Sequence, residues 1–158
     1  ASNLEGINSL LLGVILGSLK LWPPEKSEES WADTKGAMLM YCGLGLVKGE
    51  DGKYYSQDEV LGAKHNANYA LRSVIYQQTA NLIKHNNAYH QFYYNAKKSN
   101  TEISEQFQII LGFPIDRAFK ETSILFVIHL WEVTANAMEI PIINKRFPSP
   151  KQMIKVLV

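Results

Sequence analysis

The strongest constraint on this chain is Asp116–Met138, whose segment FKETSILFVIHLWEVTANAM is apolar around most of its circumference when wound as a helix. Its most apolar part, Ser123–Trp131, is far shorter than the roughly 20 residues a membrane span needs. Such a helix has to be covered by other helices of the same chain. With 158 residues, 46% hydrophobic and 20% charged, there is enough chain for one core and too little for two. The reading is a mainly α fold, a single helical domain over 1–139, with a basic tail over 140–158 that contains Pro141, Pro148 and Pro150.

A second apolar run, Ile7–Leu19, also reads as a buried helix. It lacks a basic segment before it and a small-residue cleavage site after it, so a signal peptide is disfavoured. Cys42 is the single cysteine and can form no internal disulfide, which argues for a reducing, intracellular setting, cytoplasmic or nucleoid-associated. The sequence begins at Ala1, which fits a processed terminus or a fragment of something longer.

Net charge is +1, yet the charges are unevenly placed. Residues 1–59 carry nine acids against five lysines, and from Val60 to Thr101 the formal charges are Lys64, Arg72, Lys84, Lys97 and Lys98, with no acid at all. His65, His85 and His90 fall in the same window. Concentrated positive charge on a near-neutral protein points to a localised polyanion contact.

Taken in order, Asn8 or Ser9 caps the first helix just after a glycine-containing turn, which is how a helix-hairpin-helix element presents backbone donors to a phosphate; an ordinary capped core helix reads the same way. Trp22-Pro23-Pro24 ends that helix. Trp31–Tyr41 is the second, closed by Gly43 in the left-handed position that follows a helix. Residues 46–62 hold a short β-hairpin turning at Glu50–Gly52. Two helices follow, about Ala67–Lys84 and Ala88–Lys98, divided at His85-Asn86-Asn87; on the first, Arg72 and Gln77 point away from the apolar face of Leu71, Val74, Ile75, Leu82 and Ile83. Glu102–Leu111 reads as a short helix leading into Gly112-Phe113-Pro114.

The succession LEGINSLLLGVILGSL, MLMYCGLGLV, a Gly/Lys-containing loop, KHNANYALRSVIYQQTANLIKHNNAYHQFYYNAKK and ETSILFVIHLWEV resembles the C-terminal transposase domain of the insertion-sequence family numbered one hundred and ten. The likeness lies in the order and spacing of individually soft motifs over Leu4–Glu139. It implies a DNA recombinase guided by a structured RNA, whose RNase H-like N-terminal domain binds magnesium and whose C-terminal domain supplies a serine nucleophile. This chain has no room for the N-terminal domain, so the resemblance implies no cofactor here, magnesium entering only through that missing part. It also implies DNA and a structured guide RNA as partners, and a homo-oligomer. Ser56 is the one serine in the matching loop, somewhat later than the family places its nucleophile, and an ordinary loop serine is the competing reading.

The acid-free stretch suits nucleic acid because Lys and Arg displace counterions from phosphates while Tyr and Phe stack on exposed bases. The expected contacts are Lys64, Arg72, Lys97 and Lys98, with Asn66 and Asn68 as donors at the helix start and Gly6 and Asn8 at the first turn. Tyr89, Phe92, Tyr93 and Tyr94 cannot all face one way on a helix, so some belong to the core. The histidines lack a cysteine or carboxylate at ligand spacing, and His129 in an apolar helix reads as a hydrogen-bonded core histidine. Glu102, Glu105, Asp116 and Glu121 read as helix-surface charges. The reading that follows is a nucleic-acid-binding transposase-type domain, isolated or degenerate; a small helical protein-interaction module of the immunity or adaptor type stays open beside it.

Overall fold

A computed structural model of the chain describes residues 5–18, 35–57, 67–85, 87–99 and 109–137. The described residues are mainly helical: α1 (Ser9–Ser18), α2 (Lys35–Tyr41), α3 (Tyr69–Ile83), α4 (Ala88–Ser99) and α5 (Arg117–Ala137). Two small antiparallel pairs accompany them, β1 (Leu46–Lys48) with β2 (Tyr54–Ser56) and β3 (Ile109–Ile110) with β4 (Phe113–Pro114). Among the described residues no helix is long and apolar enough to cross a membrane.

The helix starts follow from short polar side chains. Asn8 Oδ1 accepts from the Leu10 and Leu11 amides at 3.0 and 3.1 Å, Asn68 Oδ1 from Leu71 at 3.0 Å, Asn87 Oδ1 from His90 at 3.0 Å, and Asp116 Oδ1 from Phe119 at 2.8 Å. Each closes a backbone donor that the first turn would leave open. α2 ends as expected at Gly43, with φ +72°: Gly43 N–H returns to Met40 O and Leu44 N–H to Leu39 O, the paired bonds of a left-handed helix stop.

α5 is the element the others cover. It packs against α2, α3 and α4, and Thr122 to Glu132 are buried without interruption. Phe119 meets Tyr76 of α3, and Phe126 meets Tyr89 of α4, both edge to face at 5.5 and 6.1 Å. Hydroxyl side chains cross this core: Thr79 donates to Ile75 O, and its oxygen lies 3.0 Å from Ser123 Oγ across the α3–α5 contact. β1 and β2 pair in the register Leu46–Ser56, Val47–Tyr55 and Lys48–Tyr54, turning through Gly52 at φ +80°. Gln57, fully buried, holds this hairpin to α2 by accepting from Gly45 N–H at 2.7 Å and donating to Met40 O at 3.1 Å.

Three expectations change. Ile7–Leu19 is not a buried helix over its described part: among the described residues α1 packs chiefly on α3 and Ile15 is the residue of it that is buried, while Leu10, Val14 and Leu16 are 78%, 46% and 42% exposed. The end of the predicted Glu102–Leu111 helix is a strand instead. Leu111 and Gly112, at φ +50° and +89°, form a two-residue turn that folds Ile110 back against Phe113. The rest of that segment, like Trp22-Pro23-Pro24, Trp31–Thr34 and the 140–158 tail, lies outside the described residues. Arg72 is the third, taken up below.

Candidate nucleic-acid interface

Of the nine expected contact and site residues, Lys64 and Asn66 lie outside the described residues. The other seven fall at separate places in the fold. Gly6 and Asn8 sit where the chain enters α1, but their polar groups face inward. Buried Gln78 of α3 takes the Asn8 N–H on its Oε1 at 3.2 Å and donates from Nε2 to Gly6 O at 3.1 Å. With Asn8 Oδ1 already on Leu10 and Leu11, the first turn of α1 closes on its own chain. A side chain at Gly6 would meet Asn81 O and His85 Nδ1, so the glycine is there for close approach to α3.

Ser56 ends β2, half-buried and opposite Leu46. A serine hydroxyl needs a base or metal to become a nucleophile. Among the described residues no side chain is hydrogen-bonded to that hydroxyl, and no group of three His, Cys, Asp or Glu is placed to hold a metal ion.

Arg72 does not point away from the protein. Its guanidinium lies over the Tyr69 ring at 4.3 Å and near Tyr76 at 5.8 Å, and Nη1 donates to Gly43 O at 3.3 Å. Arg72 sits one turn into α3, and that turn is fastened to the end of α2: Asn68 N–H donates to Tyr41 O at 2.8 Å and Asn68 Nδ2 to Tyr41 Oη at 3.2 Å. An aromatic ring one turn back and a left-handed glycine across the junction together draw the guanidinium inward. Arg72 and Asn68 thus join α2 to α3.

α4 is different. Asn87 ends the α3–α4 break by donating to Leu82 O at 3.0 Å and Glu5 O at 2.9 Å, which fixes the rotation of the following helix. That rotation buries Tyr89 and Tyr93 against α5 and β4, Tyr93 meeting Phe113 at 5.7 Å. It turns Gln91, Tyr94, Asn95 and Lys98 outward, all exposed. The spacing i, i+3, i+4, i+7 places these four on one face. α4 contains no acidic residue.

Lys97 and Lys98 close α4, where the negative end of the helix dipole favours cations. They are not equivalent. Lys97 Nζ lies 3.0 Å from Tyr93 Oη and 3.9 Å from the Asp116 carboxylate, and the bond to Tyr93, more than any other influence, holds its ammonium above the usual lysine range. Burial pushes the Tyr93 phenol up as well, so its hydroxyl stays protonated. Lys98 is the open cation of the pair, exposed on the same face as Tyr94.

Tyr94 sits in a defined setting. His90, one turn earlier, lies against it with ring centroids 4.6 Å apart, and Tyr93 meets it edge to face at 5.0 Å. His90 Nδ1 is itself 2.7 Å from Ile83 O. Tyr94 remains 42% exposed. The combination of Gln91, Tyr94, Asn95 and Lys98 was readable from their helical spacing once α4 was placed, but the sequence did not say which tyrosine faced outward.

A second polar set went unnoticed in the sequence. His129, a core histidine as expected, has Nδ1 2.7 Å from Tyr89 Oη; Glu132, one turn on and fully buried, lies 3.7 Å from Lys35 Nζ of α2. Burial first, then Glu132, push the Tyr89 phenol well up. The i, i+3 pairing of His129 with Glu132 was visible in the sequence; Tyr89 and Lys35 reach them only through the fold.

No protein-family model, curated protein or solved structure matches this chain.

Proposed function

We propose that this chain is a nucleic-acid-binding helical domain that makes its contact through the outer face of α4. The observation that carries this reading is the exposed, acid-free row Gln91, Tyr94, Asn95 and Lys98. Lysine supplies the counterion-displacing charge, the amides supply paired donors and acceptors for phosphate or base edges, and tyrosine supplies a stacking face. The order of motifs resembling the C-terminal transposase domain supports the same class of ligand, DNA with a structured RNA. We assign nucleic-acid binding to the chain; strand transfer would need a base or metal to activate Ser56.

The test is an anisotropy titration of labelled DNA and RNA at two salt concentrations. Affinity should fall as salt rises, and Lys98→Glu should weaken it for every sequence tried. Absence of affinity for both polymers at low salt would overturn the reading.

The exposed apolar face of α1 favours a second reading, a protein-interaction module. Leu10 and Val14 lie outward, with Gly13 and Gly17 beside them on the helix, where an added side chain would meet nothing within 4 Å. It requires a stable complex with a protein partner that survives nuclease treatment and is lost in Leu10→Lys.

A further inference from the structure

Resting on the nucleic-acid reading above, we infer that Tyr94 is a stacking platform for an unpaired base, so that the α4 face takes single-stranded nucleic acid in preference to duplex. Three observations converge on it. The ring is positioned before any ligand arrives: His90 supports it at 4.6 Å and Tyr93 at 5.0 Å. Those supports are themselves fixed, His90 by its contact with Ile83 O at 2.7 Å and Tyr93 by burial and by Lys97 at 3.0 Å. A ring held this way loses little rotamer freedom when a base lies on it.

The surroundings match one strand rather than two. Tyr94 stands in the middle of the row, with Gln91 a turn before it, Asn95 beside it and Lys98 a turn after. A base stacked on Tyr94 places its own phosphate within the reach of a lysine one turn away, and Asn95 and Gln91 can bond the polar edge that pairing would otherwise occupy. In a duplex every base is already stacked, so a rigid aromatic in the centre of the contact gains nothing there without first extruding a nucleotide. The cation count points the same way. Lys97 is already engaged with Tyr93 and Asp116, which leaves Lys98 as the open charge on this helix end, a weak match for the paired backbones of a duplex groove.

The experiment uses the full chain with two probes, a labelled oligothymidylate and a labelled hairpin duplex of the same nucleotide count. Wild type should bind the single strand more tightly than the hairpin. Tyr94→Ala should lose about tenfold on the single strand, the effect of removing one stacked base, and change the hairpin little. Tyr94→Phe, which keeps the ring, should retain single-strand affinity. A hairpin preferred by wild type, or a Tyr94→Ala protein indistinguishable from wild type on oligothymidylate, overturns the inference and leaves the nucleic-acid reading standing. Wild type binding neither probe overturns both. Because Tyr94→Ala also removes a neighbour of Tyr93, wild type is examined independently by photocrosslinking to a single strand carrying 5-bromouracil: the adduct should map to Tyr94, and an adduct confined to residues off the α4 face would sink the proposal.

Discussion

Arg72 and Lys98 lie in the same acid-free stretch, and the fold treats them in opposite ways. Arg72 sits on α3 with its guanidinium over one ring, near a second, and on a backbone carbonyl; Lys98 sits at the end of α4, exposed. The difference is one of surroundings. α3 is bordered by α1, α4, α5 and the end of α2, so its polar side chains meet backbone that needs them: Gln78 meets residues 6 and 8, and Arg72 meets Gly43. α4 has α5 and β4 on its inner side, and its outer row meets solvent. A run of basic and amide residues therefore divides into a half that holds the protein together and a half whose side chains face solvent.

Breaking the inner half should have the largest effect. Gln78→Leu keeps the volume but leaves the Asn8 N–H and Gly6 C=O without their partner, at a cost of about 2–4 kcal/mol for two part-buried backbone groups. Chemical denaturation should show a lower midpoint with an unchanged slope, since the same surface is exposed on unfolding. A midpoint equal to wild type would mean that α1 is not anchored through Gln78.

Arg72→Ala comes next. Loss of a charge-assisted bond and of the contact with Tyr69 should cost about 2 kcal/mol, with no specific loss of nucleic-acid affinity once the protein is folded. If affinity falls and stability does not, Arg72 belongs with the outer half after all.

The junction that Arg72 fastens has its own reporter. Cys42 precedes Gly43 and is fully buried, and burial pushes its thiol from 9.0 up to about 12. A thiol raised in the folded state stays protonated there while the unfolded chain ionises. Its effect on stability is therefore nil below about pH 9 and grows unfavourable as pH rises towards 12. At about pH 10 the loss should be about 1 kcal/mol, and Cys42→Ala should remove that share of it, the Tyr89 phenol, also raised, contributing separately. Near neutral pH a thiol reagent should label wild type slowly and Arg72→Ala faster; equal rates would mean that the α2–α3 junction does not depend on the guanidinium.

The same division explains what the sequence disclosed. Local chemistry was legible: Asn8, Asn68, Asn87 and Asp116 each carry a side-chain oxygen that closes the turn after them, so the helix starts and the His85–Asn87 break fall where periodicity places them. The length and apolarity of α5 announced its burial. What escaped was set by contacts between distant segments. Gln78 with Gly6 and Asn8, Tyr89 with His129, and Arg72 with Gly43 are pairings that no window of sequence contains. α1 misled for the converse reason, since an apolar helix looks buried from its composition although among the described residues Leu10, Val14 and Leu16 of it are exposed. The α4 face was partly legible. Its charge and helical spacing could be read, but which of Tyr89, Phe92, Tyr93 and Tyr94 turned outward depended on how Asn87 sets the helix against α5.

The smallest expected effect on the fold is at Lys98, and there the two halves of the stretch separate most cleanly. An exposed lysine at a helix end contributes to stability mainly through the helix dipole, so Lys98→Glu should lower it by about 0.3–1 kcal/mol and Lys98→Gln by less. On nucleic acid, Lys98→Gln removes one phosphate contact and should flatten the dependence of log affinity on log salt by about one unit. Lys97→Gln is the internal comparison. Its ammonium already lies beside Asp116 and bonds Tyr93, so its removal should disturb the Tyr93 setting more than the salt slope. If both substitutions flatten the slope equally, the distinction between engaged and open cations fails within α4 itself, and the boundary between the structural and binding halves would have to be redrawn inside this helix.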